Sequence, residues 1–408
     1  MQDNDYLCLI ENDAPMGNVF RNFWLPACMA EEVEEDGPPV RTKMLGEDLV
    51  VFKDTMGQIG CLANECPHRG APLHKARNEG CGLTCLYHGL KVNVDGDIVG
   101  MRSDTKNGRG FKTMKNYPAK EQDGFIWINM GDNPRNLYPA NWTGGSIAII
   151  KVKVPFNWAT VIEASIDSSH SSTLHQSNLR KADKSAQTTS VDPYDGMWIR
   201  PDVDGAPRMK ALEKPYGLVG AAFRNPANGD PDLDYIRTSI YMMPNMVNIS
   251  PNDDYNITFM VMPIDNENTM FYWIAWQDDP KKNGITQEQW RRFTNAIPGE
   301  TLNEEYEFYP IHWKQDREAM KNGDWTGYTG IPMQDFAVFP PGIRDRTRDQ
   351  LIGSDVWISK WRRHMTQFAK KASKGSLPSD CSDLYSQIRG LEGNVPKDFD
   401  WTDPLISS

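Results

Sequence analysis

The sequence predicts an α+β fold, with an all-β unit over residues 1–140 and a larger unit over residues 141–408 in which helices pack against an antiparallel sheet. Three observations predict it. Up to about residue 140 the chain falls into short apolar stretches closed by Gly and Asp turns; beyond it, longer stretches alternate with period two; and helical patterns flank those stretches. In order, Val40–Met44, 49–53 and 58–62 read as strands, with an Asp54-Thr55-Met56-Gly57 turn between the last two. Residues 91–94 and 97–100 follow around Asp95-Gly96, and Phe125–Asn129 alternates like another strand. Pro139, Asn141 and Gly144-Gly145 mark the boundary. Beyond it, residues 147–154, 235–243, 256–262 and 270–276 are strand-like, while 157–169 reads as a helix running into a loop. Residues 286–295 and 304–322 read as helices, and 357–373 as a basic amphipathic one. The stretches 202–207 and 225–234, rich in Gly, Pro and Asp, read as loops.

Composition excludes several functions. The formal net charge is −11 with no basic block, which argues against nucleic acid or an anionic membrane as partner. The apolar runs, such as 49–52 and 147–150, are far too short to span a bilayer, and residues 1–13 lack a basic-then-apolar signal pattern. Seven cysteines without paired spacing suggest a reduced, cytoplasmic chain.

The strongest chemical signal is Cys66-Pro67-His68-Arg69-Gly70 followed by Cys85-Leu86-Tyr87-His88-Gly89. Four such residues could hold zinc, but zinc fingers usually pair Cys with Cys and His with His. Here each pair is mixed, which suits an asymmetric [2Fe–2S] cluster with two thiolates on one iron and two imidazoles on the other, a Rieske centre. Pro67, Gly70 and Gly89 suit tight loops that turn backbone N–H groups toward the sulfides. Ala71 follows the first loop, so the disulfide that joins the loops of high-potential Rieske proteins has no first partner; Cys81 reads as a buried small apolar residue.

A second cluster of chemistry lies in Asp167-Ser168-Ser169-His170, with His175 five residues on. Alone, His-x4-His is weak evidence. A one-electron cluster needs a destination for its electrons, however, and iron held by two His and one carboxylate is the usual oxygen-activating one.

Together these motifs resemble the terminal oxygenase subunit of Rieske non-haem iron oxygenases. Met16-Gly17, Asn22-Phe23-Trp24-Leu25-Pro26, Gly46-Glu47-Asp48-Leu49, Asn157-Trp158, Gln334-Asp335 and Asp345-Arg346-Thr347-Arg348 extend the likeness to the phthalate dioxygenase group, which includes chlorobenzoate and phenoxybenzoate oxygenases. The resemblance implies a helix-grip catalytic domain, cluster ligands Cys66, His68, Cys85 and His88, and mononuclear Fe(II) on His170, His175 and Asp335, with O2 as co-substrate. Asp345, Asp349 and Asp355 are weaker candidates for the carboxylate ligand. It implies that Asp167 links His88 of one subunit to His170 of the next, so that the working unit is a homotrimer or two stacked trimers.

An aromatic carboxylate substrate needs a cation in an apolar pocket. Arg237 and Arg200 are the candidates, with Arg224 a weaker third. Without a Gly-rich nucleotide fingerprint, electrons would come from NAD(P)H through a separate flavin/iron–sulfur reductase. Dioxygenation of the ring is the leading expectation; O-demethylation or aryl ether cleavage uses the same ligands. Leu90, where the family often has Trp, and Ala164, where it often has Asn after Glu, depart from the pattern.

Overall fold

The computed structural model describes residues 1–132, 145–192, 197–201, 204–250, 255–279, 281–282, 284–294, 314–376, 379 and 381–403. It divides into two compact units, one of residues 10–138 and the other of residues 1–9 with 139–408. The first nine residues, grouped above with the all-β unit, thus pack with the larger one: the Asp3–Cys8 helix buries Leu7 and Cys8 there, and Asn157 donates to the Cys8 carbonyl at 3.0 Å. Of the boundary residues, Pro139, Asn141 and Gly144 lie outside the described residues.

The smaller unit is built from short antiparallel sheets. One orders Trp24–Met29, Phe125–Asn129 and Ala119–Gln122; a second orders Val40–Met44, Glu47–Lys53 and Ile59–Ala63. A third, Arg77–Asn78, Leu83–Thr84, Leu90–Val92 and Ile98–Met101, carries the second ligand loop between two of its strands. Val50, Phe52, Leu73, Leu83, Leu90 and Val92 form the core beneath both loops. Cys81 corrects the sequence expectation: it is exposed, at φ 63°, because it sits in the turn between the Arg77–Asn78 and Leu83–Thr84 strands rather than on the core face. None of the seven cysteines is paired in a disulfide.

The larger unit centres on one antiparallel sheet in the order Ser146–Val154, Thr269–Gln277, Asn256–Pro263, Met246–Ile249, Leu233–Met242, Gly217–Arg224, Arg208–Lys214. The C-terminal strand Glu392–Pro396 adds to one end of Leu233–Met242, with Arg237 directly opposite Glu392. The Val356–Ala372 helix lies on this sheet where Gly220 leaves room. A Cβ there would come within 1.8 Å of the Trp357 ring, so only glycine permits the approach.

Periodicity found the long alternating strands but missed the Arg208–Lys214 and Gly217–Arg224 hairpin. The second of these is buried at every position, so it shows no alternation. Of the expected 304–322 helix, residues 304–313 lie outside the described residues; the rest is helical only over Arg317–Lys321, because the Asp316 side chain accepts from the Glu318 and Ala319 N–H groups and starts the helix there. Among the described residues no helix is long and apolar enough to cross a membrane.

Candidate metal centres and the cavity beside them

The two Cys–His loops share one backbone pattern. Cys66 N–H donates to the Ala71 carbonyl at 2.9 Å and Gly70 N–H to the Cys66 carbonyl at 2.9 Å; Cys85 N–H donates to the Leu90 carbonyl at 2.8 Å and Gly89 N–H to the Cys85 carbonyl at 3.0 Å. The turn closes through a left-handed glycine in each, Gly70 at φ 72° and Gly89 at 68°. Cys66 and Cys85 are buried, whereas His68 and His88 are half-exposed with ring centroids 4.5 Å apart. The His88 Nδ1 atom is buried with no hydrogen-bond partner among the described residues. Burial, reinforced by the adjacent Cys85 thiol, raises the Cys66 pKa. Two neighbouring thiols and an inward, unpartnered imidazole nitrogen fit a cluster that takes two sulfur and two nitrogen ligands.

The second set is assembled from distant parts of the chain. The Trp158–Ile166 helix starts at Asn157, whose side chain accepts from Ala159 N–H at 3.1 Å, and ends at Asp167. One Asp167 carboxylate oxygen accepts from Ser169 N–H and from its hydroxyl, both at 2.7 Å; the other faces His170 Nδ1 at 3.3 Å. A short Ser171–Leu174 turn of helix then delivers His175. Its Nδ1 lies 2.7 Å from the Gln334 Oε1, and the Gln334 amide donates to Asn178 Oδ1 at 2.8 Å and to the Tyr328 carbonyl at 3.1 Å. With its NH2 group so engaged, Gln334 can only accept from His175, which puts that proton on Nδ1 and leaves a lone pair on Nε2.

Asp335, the next residue on the Ile331–Val338 helix, sets its Oδ1 3.4 Å from Nε2 of both His170 and His175. The three ligand atoms all lie within 4.8 Å of one another, a group that could hold a metal ion. Burial disfavours charge on His170, but the Asp167 and Asp335 carboxylates outweigh it and raise its pKa to about 10. Burial likewise disfavours charge on Asp335, and the two imidazoles outweigh it, holding the carboxyl well below its usual range. Two histidines and one carboxylate converging on a point suit iron with open positions. Asp345 instead caps a short helical turn by accepting from Thr347 N–H at 3.0 Å, and Asp349 pairs with Arg344 and Arg362; Asp355 accepts from Ile352 N–H at 2.8 Å.

On the Trp158–Ile166 helix, Glu163 accepts from Arg346 Nε at 2.6 Å, Arg362 Nε at 2.8 Å and Arg344 at 3.1 Å. Burial pushes its carboxyl up, but the Arg346 and Arg362 guanidinium groups win and hold it below the usual range.

A cavity open to solvent lies beside His170, His175 and Asp335. Phe259, Phe271, Trp273, Phe336 and Phe339 contribute its aromatic wall, and Arg237 is the one arginine or lysine among the described lining residues. Arg200 is buried one layer back: it follows the lining residue Trp198 on the same strand face and donates to the Ser171 hydroxyl at 3.1 Å. Arg224 donates to the Ser168 carbonyl at 2.7 Å. The acceptor role of Gln334 has no local sequence signal beyond its place before Asp335, because its partner lies 159 residues away.

This pairing of a Rieske domain with a two-histidine, one-carboxylate site defines a Rieske non-haem iron oxygenase, and the chain belongs to that family as a terminal oxygenase subunit. Residues 23–118 match the Rieske [2Fe-2S] domain and residues 102–406 the "LigXa C-terminal domain like" family. The chain is 38% identical over 98% of its length, and 94% of the relative's, to the phthalate 4,5-dioxygenase oxygenase subunit of Pseudomonas putida. It is 30% identical, over 98% of its length and 96% of the relative's, to the 3-chlorobenzoate-3,4-dioxygenase oxygenase subunit of Comamonas testosteroni. Among solved structures, the terminal oxygenase of carbazole 1,9a-dioxygenase from Novosphingobium sp. KA1 has the same fold, with TM-score 0.54 and 19% identity over 88% of this chain and 95% of that one. The cofactors are accordingly a Rieske [2Fe–2S] cluster and mononuclear iron, and the protein is an oxidoreductase.

Proposed function

We propose that this oxygenase inserts both atoms of O2 into the ring of an aromatic carboxylate, phthalate- or benzoate-like, to give a cis-dihydrodiol. One observation carries the reading: the Arg237 guanidinium lies in the aromatic-walled cavity that also holds His170, His175 and Asp335. An aromatic wall excludes water and takes a flat ring, while a guanidinium receives a carboxylate in bidentate fashion and fixes which ring edge faces the ligand set. Iron, when bound, supplies the activation of O2.

The side chains of this chain supply the rest. Gln334 holds His175 as the Nδ1-H tautomer and Asp167 orients His170, so both Nε2 atoms converge on the point faced by Asp335. Arg200 steadies the wall through Ser171. Cys66, His68, Cys85 and His88 hold the cluster, and electrons arrive from NAD(P)H through a separate reductase. Asp167 further accepts from His88 of a neighbouring subunit in a trimer, which gives the electron a hydrogen-bonded route between chains.

The test is product analysis after a single turnover. Reduced protein is mixed with O2 and a panel of benzoates, phthalates, methoxybenzoates and phenoxybenzoates. A cis-dihydrodiol or its catechol is the expected product. Formaldehyde or a phenol released from an ether would replace this reading with monooxygenation, for which the same ligands serve.

A further inference from the structure

The two cluster loops close separately, yet a side chain of one reaches across to the other. Among the described residues no backbone hydrogen bond runs from the 66–71 loop to the 85–90 loop. The second loop is backed instead by Arg102 N–H and Ser103 N–H, which donate to the Gly89 and His88 carbonyls at 3.1 and 3.3 Å. A disulfide ties such loops in high-potential Rieske proteins, but here Ala71 leaves it no first partner and no cysteine is paired. What spans the gap is Arg69, the neighbour of His68: its guanidinium carbon lies 5.3 Å from the centroid of the Tyr87 ring, the neighbour of His88. The Tyr87 and His88 centroids are 4.0 Å apart, and His88 meets His68 edge-on at 4.5 Å. Each loop thus gives an imidazole and an adjoining side chain to one contiguous group of four. Arg69 and Tyr87 are both exposed, so neither is placed there by core packing.

From this we infer that Arg69 and Tyr87 form a loop-to-loop latch that stands in for the missing disulfide and, by fixing a positive charge beside His88, makes the cluster easier to reduce. The inference rests on the reading of these two loops as the holders of the cluster. A guanidinium is drawn to the face of an aromatic ring, and at an exposed site that attraction is worth about a two- to fivefold change in an equilibrium. It is also planar and permanently charged, so the same side chain that stacks on the ring keeps its charge at any working pH. Reduction places one more electron on the cluster, and a cation held nearby stabilises the added negative charge. Both residues are positioning residues, acting through the two histidines that they adjoin.

Two measurements on the holoenzyme test this in wild type, R69Q, R69K, Y87F and Y87L: the reduction potential of the cluster by spectroelectrochemical titration, and the rate at which a chelator bleaches its visible spectrum. R69Q loses both the stack and the charge. Its cluster should bleach about two- to fivefold faster, and its equilibrium constant for reduction should fall by about three- to tenfold, or roughly 30–60 mV for one electron. R69K keeps the charge and should keep the wild-type potential. Y87F keeps the ring and should match wild type in both readouts. Y87L is the decisive variant: it removes no charge but frees the guanidinium, so its potential should fall, by less than in R69Q, while bleaching quickens as in R69Q. A wild-type potential in R69Q or in Y87L overturns the inference, and so does a Y87F variant that behaves like Y87L. Where Y87L does not hold its cluster, R69Q against R69K decides: equal potentials overturn the role of the charge. A wild-type protein without a [2Fe–2S] spectrum would bring down the reading of the loops and the inference together, whereas a normal spectrum with unshifted variants overturns the inference alone.

Discussion

The two histidine-bearing sites are constructed in opposite ways. The cluster loops take their ligands from one short stretch, close their turns with backbone hydrogen bonds and leave both imidazoles half-exposed. The second site draws on two segments of chain: His175 is almost fully buried, and its orientation depends on a side chain 159 residues away. The difference follows from the tasks. A site that passes single electrons must lie near the surface, and its geometry can be local. A site that activates O2 must be shielded and must share a cavity with substrate, so its parts come from wherever the fold closes over that cavity.

Removing a ligand breaks the comparison most severely. Asp335→Ala should abolish turnover and lower iron from about three to about two atoms per chain, with the visible spectrum of the cluster intact. His88→Ala should do the reverse, erasing that spectrum while His170, His175 and Asp335 still take up iron. Metal analysis with visible spectroscopy checks both, and loss of both centres in either variant would show that the sites are not independent.

Next come the residues that orient ligands. Asp167→Asn should retain both centres yet lower turnover by ~100-fold, and Gln334→Leu should weaken iron retention by about 10–100-fold through an untethered His175. Dialysis against a chelator, followed by iron counting, measures the second. Retention equal to wild type would mean that Gln334 is only packing.

The Glu163 cluster sharpens the contrast, since it lies on the Trp158–Ile166 helix that leads into Asp167 and His170. Glu163→Gln leaves Arg344, Arg346 and Arg362 short of a counter-charge and should cost ~3–5 kcal/mol of stability. The pH dependence follows from its depressed pKa. Stability from Glu163 is complete above the unfolded glutamate value of about 4.3 and is lost as pH falls through the lower folded value. Unfolding midpoints should therefore drop steeply below about pH 4 in wild type and less steeply in the variant. The smallest effect is expected in the exposed site. Gly89→Ala strains a left-handed turn and crowds the Arg102 side chain at 2.8 Å, for about 1–2 kcal/mol measured by thermal melting.

Legibility in the sequence tracks the same contrast. The cluster motif could be read from residues because its geometry is written into six-residue loops. His170 and His175 were visible as a pair, but Asp335 became a candidate only through family resemblance, since nothing local distinguishes it from other aspartates. Glu392 and the acceptor role of Gln334 were beyond reach of any pattern. The first is placed by the pairing of two distant strands, which sets it opposite Arg237. Arg200 shows a different limit: sequence offered it as a carboxylate-binding candidate, and its contact with the Ser171 hydroxyl comes from residues 29 positions apart that no local pattern joins.

The repeated backbone of the cluster loops has one more consequence. Each closes the same six-residue clasp, Cys66 to Ala71 and Cys85 to Leu90, yet His68 occupies the third position of its clasp and His88 the fourth. The main chain thus repeats itself in hydrogen bonding, and the imidazoles are out of step. A symmetric vise grips an asymmetric object by shifting one jaw by a single notch. Moving the histidine of either clasp by one residue would leave the vise intact while mis-seating what it grips.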